Sequence, residues 1–207
     1  MPAQGEPTTT LLLRHGQTPM SLQKRYAGRS DVPLTDAGVQ QAAAAAKRLA
    51  SAGIGVIVTS PLLRAVQTAG EVAAVTGATV VTDEGFAEAD FGAWDGLTFA
   101  AVRERWPAEM TAWLADPEVA PPGGESLAEV GVRVTRALHR VLAGWEGQTV
   151  LIVSHVTPIK TLVAVALGAP QAALYRMHLD VAALCEIDWY ADGPAVLRSF
   201  NDTGHLS

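Results

Sequence analysis

An arginine and a histidine stand together at the end of an apolar run in LLLRHGQT, residues 11–18, and a second histidine ends a similar run in LIVSH, residues 151–155. Between them, SPLLRAVQT places Arg64 near the start of a helical pattern, and FAEADFG holds Glu88 among apolar residues. A neutral imidazole has one lone pair for nucleophilic attack, provided that its other nitrogen donates to a fixed acceptor, best a backbone carbonyl. Two arginines offer planar forks of donors that match phosphate or carboxylate oxygens and keep their charge at any working pH. Together these residues describe a pocket for an oxyanion, and phosphate fits it best.

Such side chains converge only if the elements carrying them end at one place. Short apolar runs at 10–14, 54–59, 79–82 and 149–154 read as buried strands, and helical patterns follow them. The alternation predicts an α/β fold, a three-layer α/β/α sandwich around a mostly parallel, mixed central sheet. In an open parallel sheet, ligands sit beyond the carboxyl ends of the strands, where Arg14-His15, Thr59-Ser60 and Ser154-His155 all fall. Residues 36–52 read as a helix with Thr35 as N-cap and Gly53 just past its end. Further helices are predicted from Ser60-Pro61 and Thr157-Pro158, each with a capping hydroxyl before a proline, and their free N–H groups would add to the anion site.

Residues 83–125 break this rhythm with Gly85, Gly92, Gly96 and the run DPEVAPPGG. They read as an insertion, helical from about 98 to 114, lying over one edge of the sheet and over the active site. GGESLAEV is a helix start with Ser126 and Glu129 in capping-box spacing, and LDVAALCEIDWY and PAVLRSF form a hairpin through Asp192-Gly193. Residues 1–9 read as a tail or linker, and 10–207 as one domain.

With 207 residues, 49% hydrophobic and 17% charged, the chain can bury one sizeable core. A formal charge of -6 disfavours nucleic acid and acidic membranes as partners, so any cationic site is local. Cys185 is the only cysteine, which excludes an internal disulfide and fits a buried, inert thiol. The opening MPAQGEPTTT has no signal-peptide pattern and no long apolar run follows, so a cytoplasmic location is expected. Its Pro, Gly and Thr content suits a junction to a neighbouring domain in a longer parent chain. Rival chemistries lack their residues: Ala191, not arginine, lies six positions after Cys185, no aspartate pair has aspartyl-phosphate spacing, and no metal-ligand spacing occurs.

In this order, LLLRHGQT, TSPLLRAVQTA, FAEADFGAWDG and SHVTPIK resemble the four signatures of the histidine phosphatase superfamily, with its phosphoglycerate mutase-like fold. The segments RYAGRSDVPLTDAG and WLADPEVAPPGGES are similar to the alpha-ribazole phosphatase-like branch, including the acid phosphatase domain that follows ribonuclease H in some bifunctional bacterial proteins. The resemblance implies that His15 attacks phosphorus to form a phosphohistidine, while Arg14, Arg64 and a protonated His155 grip the phosphoryl oxygens without metal or cofactor. Gly16, lacking a Cβ, would let backbone and substrate approach closely. Glu88 matches the family's general acid and would later activate water. With a free pKa of roughly 4.3, it needs burial or mildly acidic solution to hold its proton.

Gln17, Thr18, Arg25 and Tyr26 are expected at the pocket mouth, against a small phosphomonoester. Three readings follow: a phosphomonoester hydrolase, a mutase-type isomerase, and a non-catalytic phospholigand-binding module. TPMSL stands where some mutases carry Asn, which weighs against the second. Plainer readings cover the rest: His139, His178 and His205 as surface, strand and tail residues, Arg103 and Arg105 on a solvated helix face, and the tryptophans as packing, with Trp94 or Trp106 the candidates for the pocket. Asp83, Glu84 and Asp90 compete with Glu88 for the acid's place.

Overall fold

The apolar runs fold as strands whose successive side chains enter two different cores, as a pleat of period two requires. A computed structural model describes residues 5–207. In chain order the elements are β1 (Thr8–Arg14), α1 (Pro19–Leu22), α2 (Asp36–Leu49), β2 (Ile54–Thr59), α3 (Leu63–Thr76), β3 (Thr79–Thr82), α4 (Phe99–Arg105), α5 (Pro107–Ala115), α6 (Leu127–Gly144), β4 (Thr149–Ser154), α7 (Val156–Ala166), β5 (Leu184–Trp189) and β6 (Ala195–Asp202). The sheet order is β3-β2-β4-β1-β5-β6, with β1 to β4 parallel and β5 antiparallel to both its neighbours.

Leu12, Val58 and Ile152 pack with Val134 and Leu138 of α6 and Leu162 of α7. Leu13, Ile57 and Val153 pack with Ala45 and Leu49 of α2 and Ala69 of α3 on the opposite side. The result is the α/β/α sandwich expected from the alternation of elements. Its central strands β4 and β1 are buried on both faces, which is why they read as nearly unbroken apolar runs.

Several boundaries differ from the sequence reading. Thr8 and Thr9 pair within β1, so the ordered sheet begins inside the expected tail, of which residues 1–4 lie outside the described residues. The helix after β2 starts at Leu63 rather than at Ser60-Pro61, and its cap, Leu62, has no side-chain bond. Ser60 is instead committed to His155, through a 2.7 Å hydrogen bond. At α7 the cap position belongs to His155 and Thr157 already lies in the first turn, so neither proline opens its helix.

The 98–114 segment is two helices divided at Trp106. It is not a cover over one edge: Trp94, Val102, Met110 and Trp113 share the larger core with side chains of β1, β2, β4 and β5. Of the first hairpin segment only Leu184–Trp189 is strand, because the chain turns before it, with Ala182 in the left-handed region at φ 53°. Among the described residues no helix is long and apolar enough to cross a membrane.

Gly16 matters for a reason other than substrate approach. A Cβ built there would lie 2.3 Å from the Gly38 carbonyl oxygen, and one on Gly38 would lie 2.1 Å from that of Gln17. The turn after β1 therefore packs backbone against backbone on the first turn of α2, with no flexible side chain to give way. Gly38→Ala is expected to destabilise the fold by about 1–3 kcal/mol, measured as a lower urea midpoint at unchanged m-value.

Candidate active site

Parallel registry places Arg14 of β1 beside Ser154 of β4, and the His15 amide donates to the Ser154 carbonyl at 3.0 Å. His15 and His155 are thereby brought together, their ring centroids 5.1 Å apart. The His15 Nδ1 lies 2.8 Å from the Gly16 carbonyl oxygen. A carbonyl can only accept, so Nδ1 carries the hydrogen and Nε2 keeps its lone pair. Burial, followed by the charges of Arg14 and Arg64, holds the His15 pKa well below the usual histidine value. The ring is neutral and held in one orientation, with the lone pair on Nε2.

Arg14 donates from Nη1 to the Leu179 carbonyl at 2.6 Å, and its buried Nε has no partner among the described residues. Burial lowers its pKa to about 10, with Glu88 and Asp180 acting against that shift, so the guanidinium remains charged at neutral pH.

Arg64 is fully buried and largely committed to the protein. Its Nη1 donates to Ser30 O at 2.8 Å, Nη2 to Ala27 O and Gly28 O at 2.8 and 2.9 Å, and Nε to His155 Nδ1 at 3.2 Å. Four of its five N–H groups are thereby taken up by the protein. The bond to His155 settles the state of that ring. Because Nε can only donate, Nδ1 must accept, and Nε2–H is then the donor to Ser60 Oγ. His155 is neutral, and the expectation of a protonated second histidine is corrected: burial, then His15 and the two arginines, hold its pKa well below the usual value.

Glu88 is nearly buried, its Oε1 accepting from the Ala89 amide at 2.8 Å and from Thr157, in the first turn of α7, at 3.2 Å. Asp83, Glu84 and Asp90, the competing acids, are outside the cavity wall that Glu88 helps to form. Its segment is held from behind by Arg133 of α6, which donates to the carbonyls of Gly85, Ala87 and Glu88 and pairs with Glu125 at 2.7 Å. Ser154 Oγ adds a bond to Phe86 O at 2.7 Å. Asp95 performs a similar service for Arg64: it accepts from the amides of Gly28 and Ser30 and so fixes the loop whose carbonyls grip the guanidinium. Sequence reading missed Arg133, Glu125 and Asp95, although Asp95 lay inside FAEADFGAWDG and Glu125 inside WLADPEVAPPGGES.

Beyond the imidazole of His15 opens a cavity of about 280 Å³, small among ligand sites. Arg14, His15 and Glu88 lie at one end, and Thr18, Arg25 and Tyr26 contribute to its wall as expected from their place after the nucleophile. Gln17 does not. Its amide donates to Gln41 and its Oε1 accepts from Thr35, so it ties the turn to α2 and is no substrate contact. Arg64 and His155 stand behind the wall. Trp113 lines the cavity, whereas Trp94 is wholly buried and Trp106 is not part of the lining. Lys160 and Tyr175, which the sequence did not single out, are part of it. His139, His178, Arg103 and Arg105 are exposed and away from the site, as is half-buried His205. Among the described residues no group of three or more His, Cys, Asp or Glu is placed to hold a metal ion.

The two neutral histidines carry a stability consequence. Unfolded, each takes up a proton near pH 6.5; folded, neither does until the pH is well below that. The unfolded state therefore binds more protons below pH 6.5, and stability falls as the solution is acidified through that window. The expected slope approaches about 1.4 kcal/mol per pH unit for each histidine, with a plateau above pH 7. Urea unfolding between pH 5 and 8 measures it, and His155→Gln should flatten the slope.

The model of the histidine phosphatase superfamily (branch 1) matches residues 10–203. The bifunctional protein Rv2228c of Mycobacterium tuberculosis is 50% identical over 205 residues, which cover 99% of this chain and 56% of that protein; the chain thus spans just over half the length of this curated relative. The probable phosphoglycerate mutase GpmB of Yersinia pestis is 34% identical over 203 residues, 94% of this chain and 93% of that one. Among solved structures, the mycobacterial glucosyl-3-phosphoglycerate phosphatase Rv2419c complexed with VO3 superposes with a TM-score of 0.87 at 30% identity, covering 95% of this chain and 100% of that one.

Proposed function

Since this chain belongs to the histidine phosphatase superfamily, we propose that it is a phosphomonoester hydrolase that works through a phosphohistidine on His15, without a metal, on small phosphorylated metabolites. The observation that carries the proposal is the Nδ1–H bond of His15 to Gly16 O at 2.8 Å, which leaves the lone pair on Nε2 of a ring that lines the cavity together with Arg14. In the first step Nε2 bonds to phosphorus as the ester P–O bond breaks, and Glu88 gives its proton to the departing alcohol oxygen. Water then attacks the phosphohistidine, Glu88 takes its proton, and inorganic phosphate leaves. Arg14, in the cavity wall, is the donor for the phosphoryl oxygens, while Arg64 and His155, bonded to each other behind that wall, fix the surrounding loops rather than grip the phosphate directly. Phosphoryl transfer needs chiefly alignment and charge stabilisation, which these groups supply.

The acid phosphatase and alpha-ribazole phosphatase-like readings are finer forms of this proposal, supported by the two segments that resemble that branch. A mutase cycle, in which the phosphoryl group returns to the substrate, draws support from the likeness to GpmB. Release of inorganic phosphate from p-nitrophenyl phosphate, undiminished by chelator and accompanied by acid-labile phosphate on His15, tests the hydrolase. Phosphate moved between positions of a sugar phosphate without net release would favour the mutase, and binding without turnover would leave only a binding module.

Glu88→Gln separates its role from that of the nucleophile. It should lower kcat on alkyl phosphates by about 10²–10⁴-fold. With p-nitrophenyl phosphate, whose leaving group needs no proton, the loss should fall on the second step, so that phosphoenzyme accumulates in a rapid-quench experiment.

A further inference from the structure

Lys160 is a cation for which phosphoryl transfer has no use. It lines the cavity from α7, three residues beyond Thr157 and so on the same helix face as the amide that holds Glu88. Its half-buried ammonium donates to the Leu174 carbonyl at 3.2 Å and joins no ion pair among the described residues. An ammonium has three N–H groups, so two remain. Burial, and then the charge of Arg14, lower its pKa from the usual lysine value, an electrostatic cost that an anionic oxygen beside it would offset.

The wall around this cation is flat and apolar. Tyr26 stacks obliquely on Phe91 with centroids 4.7 Å apart, and Trp113 meets Tyr175 edge to face at 5.7 Å. The Tyr175 hydroxyl donates to the Trp113 carbonyl at 3.2 Å, which fixes the ring. Burial pushes the Tyr26 and Tyr175 hydroxyls up to about 12, so neither brings a charge. Ring faces reward a planar apolar group and leave the hydroxyls of an acyclic polyol without partners.

Building on the phosphatase reading, we propose that Lys160 and Tyr175 form a leaving-group subsite for a phosphomonoester whose alcohol is a flat ring bearing an anionic oxygen, the ring against Tyr175 and the oxygen on Lys160 Nζ. Lys160 is then the specificity-determining residue, acting on the alcohol and not on the phosphoryl group.

The test compares kcat/KM for benzyl phosphate, its three ring-carboxylated isomers and glycerol 1-phosphate. The wild type should prefer the best carboxylated isomer to benzyl phosphate by about tenfold or more, the scale of one charge-assisted hydrogen bond. Lys160→Met and Lys160→Gln should bring that ratio to within about twofold of one, and Tyr175→Ala should lower the ratio of benzyl to glycerol phosphate by about fivefold or more. Thermal melting confirms that each variant is folded. A wild-type ratio near one, or Lys160 variants that lower all five esters by the same factor, overturns the subsite. If no ester is turned over and His15 is never phosphorylated, the phosphatase reading fails instead; calorimetric affinities for the same five compounds then decide the subsite by the same ratios.

Discussion

His15→Ala is expected to lower kcat/KM for every phosphomonoester by at least about 10⁴-fold and to abolish acid-labile phosphate on the protein, while leaving the fold intact. The loss is large because nothing else in the cavity can replace an oriented lone pair. His155, whose ring lies 5.1 Å away, has Nδ1 taken by Arg64 and a hydrogen on Nε2, so it has no free pair to offer. The variant should still bind inorganic phosphate or vanadate, because Arg14 keeps its charge and its unmet donor. Single-turnover kinetics with rapid quench, together with calorimetric titration of vanadate, check both halves. A variant that retained the phosphoenzyme would place the nucleophile elsewhere.

Arg64→Met is expected to have the second largest effect, on stability as well as on rate. Removing this fully buried guanidinium leaves the carbonyls of Ala27, Gly28 and Ser30 and the Nδ1 of His155 without its donors. Breaking a buried, hydrogen-bonded charge of this kind costs about 3–5 kcal/mol. The His155 tautomer is then free to change and the loop from Ala27 to Ser30 loses its clamp, so the cavity wall shifts and kcat/KM should fall by about 10²-fold when measured below the melting temperature. Arg64→Lys should rescue little, because a single ammonium cannot span three carbonyls and an imidazole. Urea unfolding and steady-state kinetics on the same preparations separate the two losses.

Much of this was legible in the chain because the strands that carry the site are buried on both faces. LLLRH and LIVSH announce themselves as apolar runs ended by polar residues, and the parallel register then aligns Arg14 with Ser154. What the sequence withheld depends on contacts between distant residues. The tautomer of His155 is set by Arg64, ninety-one positions away. Gln17 is two residues from His15 in sequence but turned into α2, whereas Lys160, the last residue of SHVTPIK and not singled out there, reaches the cavity from α7. The break at Trp106, which divides one expected helix into two, decides that Trp113 and not its neighbours lines the cavity.

Three of the four residues from Ser154 to Thr157, where β4 passes into α7, hold parts of the site in place. Ser154 holds the Phe86 carbonyl, His155 meets both Arg64 and Ser60, and the Thr157 amide reaches Glu88. Glu88, Arg64 and His15 are thus tied to a common mount, which also carries Lys160, while α5 and residues 174–175 line the cavity from outside it. Substrate preference can drift through those outlying parts without throwing the reaction machinery out of alignment.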